Sequence, residues 1–431
     1  MNGSLSWQRK VLSNGLTVLL YQRSSAMTVQ LSLAIKYGSN DDSENTIGTA
    51  HFLEHMLVGG SQGRIKVLHE IEKLGGASNF ETSKECTFTI VDAFPERLPE
   101  ASETLSGLLF ETTFERDKLE HERKVILNEI AEASDDPRDK TEETLLKCLF
   151  RSHPAKNPIL GSRKTVSQIT LRDIEEAHEN YYSPRNMILI LTGKFSERDA
   201  DSLLEDFQDR ENGSPKSRQS RNIEDKKPKK EAVMSRSGIA QAYLSFGLRT
   251  PPAKDANIPT LELINAILGV GESSRFFVEL REKRPLTYDY ESVDVAGLDF
   301  GYFLVNCAVK TNSLTQTQTI IQDELQKLKN YRVSKDELEK GKNLVLGDVF
   351  RSIDSPYMLP RVMTDSEIYF EDENALIRYI DKIRSLSEQD IAEVANKYFQ
   401  EDNYATAITT PKPKPKQKRK MIHSHHSGVS N

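Results

Sequence analysis

Residues 171–190 read LRDIEEAHENYYSPRNMILI, and residues 388–408 read EQDIAEVANKYFQEDNYATAI. Asp173, Ile174, Tyr181 and Asn186 of the first stretch fall on Asp390, Ile391, Tyr398 and Asn403 of the second, at a constant offset of 217. A second pair agrees. RDKLEHERKVILNEI from Arg116 and KDELEKGKNLVLGDV from Lys335 set Asp117, Leu119 and Leu127 on Asp336, Leu338 and Leu346, and Pro137 on Pro356, at offset 219. The chain therefore reads as two copies of one α/β unit of about 200 residues, within the usual size of a domain.

Elements around these anchors follow one order. LTVLLYQ (16–22) and TVQLSLAIKYG (28–38) alternate as strands, with Val29, Leu31, Leu33 and Ile35 on one side. Thr46–Val58 reads as a helix that the polar run SNDDSEN can cap. A helix over Ile65–Leu74 and the Gly75-Gly76 break lead into two extended segments, ASNFETSKECTFTIVDAF. Helical spacing dominates from Pro95 to about Phe150 and again over Leu171–Tyr182, before the strand NMILILTGKF. After residues 208–231, a charged stretch rich in Pro and Ser that reads as a linker or exposed loop, the order restarts with AYLSFGL, PTLELINAIL, YDYESVDVA and YFLVNCAVK. The expected fold is α+β. Two homologous α/β sandwich domains, each a mixed and mainly antiparallel sheet packed against helices, span 7–208 and 232–410, with a linker over 209–231 and a disordered basic tail over 411–431.

The 431 residues, 37% hydrophobic and 29% charged, suit a globular chain with full cores. No apolar run reaches membrane-spanning length, and the N-terminus MNGSLSWQRKVLSNG resembles neither a secretory signal nor an amphipathic presequence, so a cytoplasmic location without membrane contact is expected. Cys86, Cys148 and Cys307 lie far apart, with no CxxC pair, and read as packed thiols. Net charge is −7, and the tail from Pro411 holds six Lys or Arg and no acid, so the body stands at −13. Such a body is unsuited to phosphate contacts, and no nucleic acid is expected as a partner.

Residues 51–60, HFLEHMLVGG, put His51, Glu54 and His55 on one face of the first long helix. Two histidines four apart supply two imidazole ligands for zinc, and a catalytic site needs a third protein ligand and an open position. Glu122 and Glu129, seven apart on the Arg116–Ala133 helix, share a face and offer that ligand, while Glu54 is left to act on water. The second copy has no histidine between His178 and His423, and it places Gly341 and Asp348 where the first has Glu122 and Glu129.

HFLEHMLVGG, GGASNFETSKECTFTIVDAF and ERKVILNEI together resemble the inverted-zincin peptidases of the pitrilysin and mitochondrial-processing-peptidase family, over about Val11–Thr409. The resemblance implies that His51, His55 and Glu129 bind one Zn2+ per chain, that Glu54 is the general base of endopeptidase hydrolysis, and that Glu122 orients a ligand. By the same resemblance Asn79 marks a substrate-binding edge strand, with Phe80 where the family has a small residue. The resemblance likewise implies that Arg281 and Tyr288, seven apart, help to hold the substrate and to stabilise its tetrahedral intermediate. Family members of this length pair into a clam-shell around a closed chamber, which implies peptides or unfolded segments as substrates. The chain carries both the HxxEH and the Arg/Tyr sets, so a homodimer is expected, with a heterodimer as the alternative. Two rival readings are a non-catalytic or heterodimer-partner subunit, although such subunits lose ligands, and a two-His-one-carboxylate iron site, in which Glu54 has no role. His423, His425 and His426 in the tail do not form a preorganised site.

Overall fold

The computed structural model describes residues 6–58, 69–73, 75–210, 216, 218, 221, 223–330 and 333–413. Residues 69–73 of the expected 65–74 helix are helical, and the rest of that segment lies outside the described residues, as does the tail from 414 with its three histidines.

Two sheets form. The first has six strands: β1 (Gln8–Val11), β2 (Thr17–Gln22), β3 (Val29–Ile35), β4 (Ala77–Thr82), β5 (Thr87–Ala93) and β6 (Met187–Gly193), in the order β1-β2-β6-β3-β5-β4. The second has five: β7 (Glu231–Arg236), β8 (Ala242–Arg249), β9 (Tyr290–Ala296), β10 (Gly301–Val309) and β11 (Tyr404–Pro411), in the order β7-β11-β8-β10-β9. The β2–β6 and β7–β11 pairs are parallel and the other pairs antiparallel, so both sheets are mixed and mainly antiparallel, as expected.

The matched residues of the two copies do the same work. Thr170 and Asp173 form a capping box at the start of the Leu171–Tyr181 helix, and Ser387 and Asp390 form one at the start of Glu388–Tyr398. Asn186 donates to Tyr181 O at 2.9 Å and Lys36 O at 3.3 Å, and Asn403 donates to Tyr398 O at 3.0 Å and Arg249 O at 2.8 Å. Each asparagine thus ties a helix end to the end of a neighbouring strand.

The copies also exchange a helix. Pro137–Leu149, from the first, lays Leu145, Leu146 and Leu149 against Tyr302, Leu304, Ala405 and Ala407 on the back of the second sheet. Met358–Phe370, from the second, lays Leu359, Met363 and Ile368 against Leu19, Phe88, Ile90 and Ile188 on the back of the first. Both faces of each sheet are thereby covered. β3 and β6 are buried at every position in place of the one-sided alternation read for Val29–Ile35, and Ser32, Gln30 and Thr192 are carried within the buried faces. Truncating the fully buried Met363 to Ala costs about 2–5 kcal/mol.

The charged stretch 209–231 contributes buried groups. Arg218 pairs with Asp41 at 2.6 Å and Glu85 at 3.2 Å, and Arg221 reaches Asp41 and, in the second domain, Asp299 at 3.2 Å. Glu224 is buried and accepts from the backbone N–H of Arg151, Ser152 and His153, which holds its pKa at about 2 against the cost of burial. All three cysteines are buried free thiols. No helix among the described residues is long and apolar enough to cross a membrane.

Candidate metal centre

The Thr49–Val58 helix buries Phe52, Leu53, Met56 and Leu57 in the first core and turns His51, Glu54 and His55 the other way. Asp42 fixes its entry. The Asp42 carboxylate accepts from the backbone N–H of Gly48 at 2.7 Å and of Ala50 at 3.0 Å, donors a first helical turn would otherwise leave unpaired, and from the Tyr37 hydroxyl at 2.8 Å. Gly48 has φ of +102°, and a Cβ there would come within 2.8 Å of Leu160 O, so only glycine fits this entry.

The Arg116–Asp135 helix packs against it through Leu119, Glu122 and Ile126, and Arg123 lies 5.4 Å from the centre of the Phe52 ring. This brings Glu129 to the histidines. Its Oε2 is 3.8 Å from His51 Nε2 and 3.5 Å from His55 Nε2, and the three ligand atoms all lie within 4.8 Å of one another. A tetrahedral ion with bonds of about 2.0–2.1 Å spaces its ligands about 3.3–3.4 Å apart, so small side-chain shifts would close the group on an ion.

Protonation suits that use. Burial, with His55 alongside, pushes His51 down to about 3, so its imidazole is neutral and able to ligate. His51 Nδ1 is buried without a hydrogen-bond partner, and its Nε2 is the nitrogen that faces Glu129. Burial also opposes charge on His55, but its bond to Glu122 and the carboxylates of Glu129 and Glu54 outweigh that and raise it. Nδ1 of His55 sits 3.0 Å from Glu122 Oε2, which fixes the tautomer and turns Nε2 toward Glu129. Two imidazole nitrogens and one carboxylate oxygen match the donor types zinc takes, and the group could hold a metal ion. Glu54 stands beside it outside the ligand set. Burial raises its pKa, partly offset by a hydrogen bond that Thr82 Oγ1 donates at 2.7 Å.

The remaining expected site residues are not members of this ligand group. Asn79 is exposed at the middle of the edge strand β4, on the face it shares with Glu81 and opposite that of Phe80 and Thr82. Arg281 sits in the π-helical turn Phe277–Glu282, its guanidinium carbon 4.9 Å from the Phe277 ring centre and 5.4 Å from that of Tyr288, which is 86% exposed. Among the described residues, no hydrogen bond, ion pair or ring contact joins Arg281 or Tyr288 to His51, Glu54 or His55. Thr82 escaped the sequence reading. Its only signal is a hydroxyl on the inward phase of a strand, and the partner that gives it meaning is 28 residues away.

The second domain holds the same place differently. One rung runs Met187–Ile35–Thr87–Thr82 across the first sheet, and the matching rung runs Tyr404–Leu248–Phe303–Asp294 across the second, each starting next to the matched asparagine. Asp294 thus stands where Thr82 does. On the Ile258–Gly269 helix the buried Leu263, Ile264, Ile267 and Leu268 repeat Phe52, Leu53, Met56 and Leu57, which puts Glu262, Asn265 and Ala266 where His51, Glu54 and His55 stand. Tyr379 donates to Glu262, and Gly341 lets its helix approach so closely that a Cβ there would lie 2.8 Å from Leu263 Cδ1.

The comparisons agree with this division. The family described as Insulinase (Peptidase family M16) matches residues 17–163, and the Peptidase M16 inactive domain matches 168–345. An uncharacterized zinc protease of Bacillus subtilis, YmxG, is 25% identical over 406 residues, covering 94% of this chain and 98% of the relative. One from Mycobacterium tuberculosis is 25% identical over 428 residues, covering 95% and 94%. Among solved structures, a Helicobacter pylori protease superposes with a TM-score of 0.88 at 23% identity, covering 94% of this chain and 99% of that one, and a putative M16-like peptidase of Alicyclobacillus acidocaldarius with 0.85 at 20%, covering 96% and 100%. With both domain types matched in order along one chain, and the histidine–glutamate group confined to the first, the protein belongs to the M16 family of peptidases, that of insulinase and pitrilysin.

Proposed function

We propose that this chain is a zinc-dependent endopeptidase that hydrolyses peptides or unfolded polypeptide segments inside a chamber formed by two copies of itself. The reading rests above all on the convergence of His51 Nε2, His55 Nε2 and Glu129 Oε2, with Glu54 beside them and outside the ligand set. His51, His55 and Glu129 would hold the ion, with Glu122 fixing His55. Bound zinc supplies a lowered pKa for the attacking water and polarisation of the scissile carbonyl.

The chain's own groups do the rest. An extended peptide adds to the open edge of β4 near Asn79, held by main-chain hydrogen bonds. Glu54 accepts the proton of the attacking water and passes it to the departing amide nitrogen. Burial, by raising the Glu54 pKa, favours that second transfer. Arg281 and Tyr288 place a cation and a phenol for the substrate and the developing oxyanion, and they act on the site of the partner chain.

Metal analysis of purified protein joined to cleavage of an unstructured peptide mixture tests this reading. Zinc near one equivalent per chain with cleavage, both metal and fold retained but cleavage lost in Glu54→Gln, is the expected result. Zinc-loaded wild-type dimer that cleaves nothing would make the chain a non-catalytic subunit.

A further inference from the structure

We infer that Thr82 is a positioning residue that aims Glu54, an assignment that rests on the peptidase reading above. Thr82 closes β4 and is buried, and its hydroxyl donates to Glu54 Oε2 at 2.7 Å. A hydroxyl has one proton to give, so this bond commits it. Glu54 is a long side chain amid acidic neighbours, Glu129 and Glu81 among them, that repel its ionised form. Unanchored, it would swing among rotamers. With one oxygen held by Thr82, the other has a defined direction beside His51 and His55.

The strand that carries Thr82 gives the bond a second meaning. β4 pairs with β5 on one side, through Thr82 opposite Thr87, and among the described residues no strand pairs with its other side. A peptide added there hydrogen-bonds to the same backbone that bears the Thr82 hydroxyl. Docking of substrate and alignment of the base are therefore referred to one rigid element.

The second domain acts as an internal control. Asn265 occupies the place of Glu54 and Asp294 that of Thr82, so where the carboxylate is missing, the hydroxyl that would hold it is missing too. Asn265 Oδ1 accepts instead from Ser292 at 2.7 Å.

The test compares zinc-loaded wild type, Thr82→Val and Thr82→Ser on one fluorogenic unstructured peptide, with zinc content and melting temperature measured on each. Thr82→Val should lower kcat about 10–100-fold with KM within about 2-fold, and Thr82→Ser should recover most of the loss. Peptide binding to zinc-loaded Glu54→Gln, read by fluorescence anisotropy, should be unchanged on adding Thr82→Val, and that double variant should be no slower than Glu54→Gln alone. An active wild type with Thr82→Val equally active, or with Thr82→Ser as impaired as Thr82→Val, overturns this assignment and leaves the peptidase reading standing. A zinc-loaded wild type without cleavage overturns both.

Discussion

His55 donates from Nδ1 to Glu122 Oε2 at 3.0 Å, and its other ring nitrogen faces Glu129 Oε2 at 3.5 Å. The buried carboxylate thus sets which nitrogen is free for a metal. Glu122→Gln keeps the shape and loses the charge, and zinc affinity should fall about 10–100-fold with the fold intact. Competition against a chelator of known affinity measures this, and unchanged affinity would remove Glu122 from the site.

Arg281 lies over the Tyr288 ring in the second domain, and among the described residues no hydrogen bond, ion pair or ring contact joins either to the histidine helix of its own chain. If they serve the partner chain, Glu54→Gln and Arg281→Ala proteins are each inactive, and an equimolar mixture after subunit exchange should regain roughly a quarter of wild-type activity. Half the dimers are then mixed, and each mixed dimer has one complete site of two. No recovery despite exchange verified by mass spectrometry would place Arg281 and the zinc group in the same chain or outside the reaction.

Glu262 is half-buried and bonded to Tyr379, and loss of solvation around its carboxyl raises its pKa to about 7 although the Tyr379 bond pulls the other way. Burial likewise holds Asp294 well above its ordinary range. A carboxyl with a folded pKa above its unfolded one takes up a proton on folding, so its contribution is fully present below pH about 4.5 and is lost as pH rises through about 7. Melting temperature should therefore fall between pH 5.5 and pH 8.5 by about several degrees more in wild type than in Glu262→Gln, which keeps an acceptor for Tyr379. Parallel melting curves would show that Glu262 is ionised without cost.

Arg218 is held between Asp41 and Glu85, and Arg221 joins Asp41 to Asp299 of the second domain. Removing Arg218 leaves the Glu85 carboxylate without its ion pair and Asp41 with Arg221 alone, and Arg218→Ala should cost about 3–5 kcal/mol in urea unfolding. A surface arginine such as Arg172, paired with Glu176 on its own exposed helix face, should leave the urea midpoint unchanged when replaced by Ala.

Much of the fold was legible because the chain states it twice. Asp173 and Asp390 cap, Asn186 and Asn403 tie a helix to a strand, and such local duties leave the same residue at the same place in both copies. The histidine helix was legible because its polar stripe contradicts a core. The Glu129 ligand needed more, since a charged helix shows many carboxylates and packing alone selects one. Thr82 and the exchanged helices were out of reach. Pro137–Leu149 has the same amphipathic spacing whichever sheet it covers, and no local pattern says that the sheet belongs to the other copy. The contacts of the 209–231 stretch were out of reach for the same reason, because Arg218, Arg221 and Glu224 meet their partners only across distance in the chain.

The exchange of Pro137–Leu149 for Met358–Phe370 bears on whether either unit could stand alone. A lone unit would leave the back of its own sheet bare and that helix without a seat. Trading that helix between two units meets both needs at once, so neither unit is complete without the other. In this chain the two units of the exchange are one molecule, and only the first carries the histidine–glutamate group.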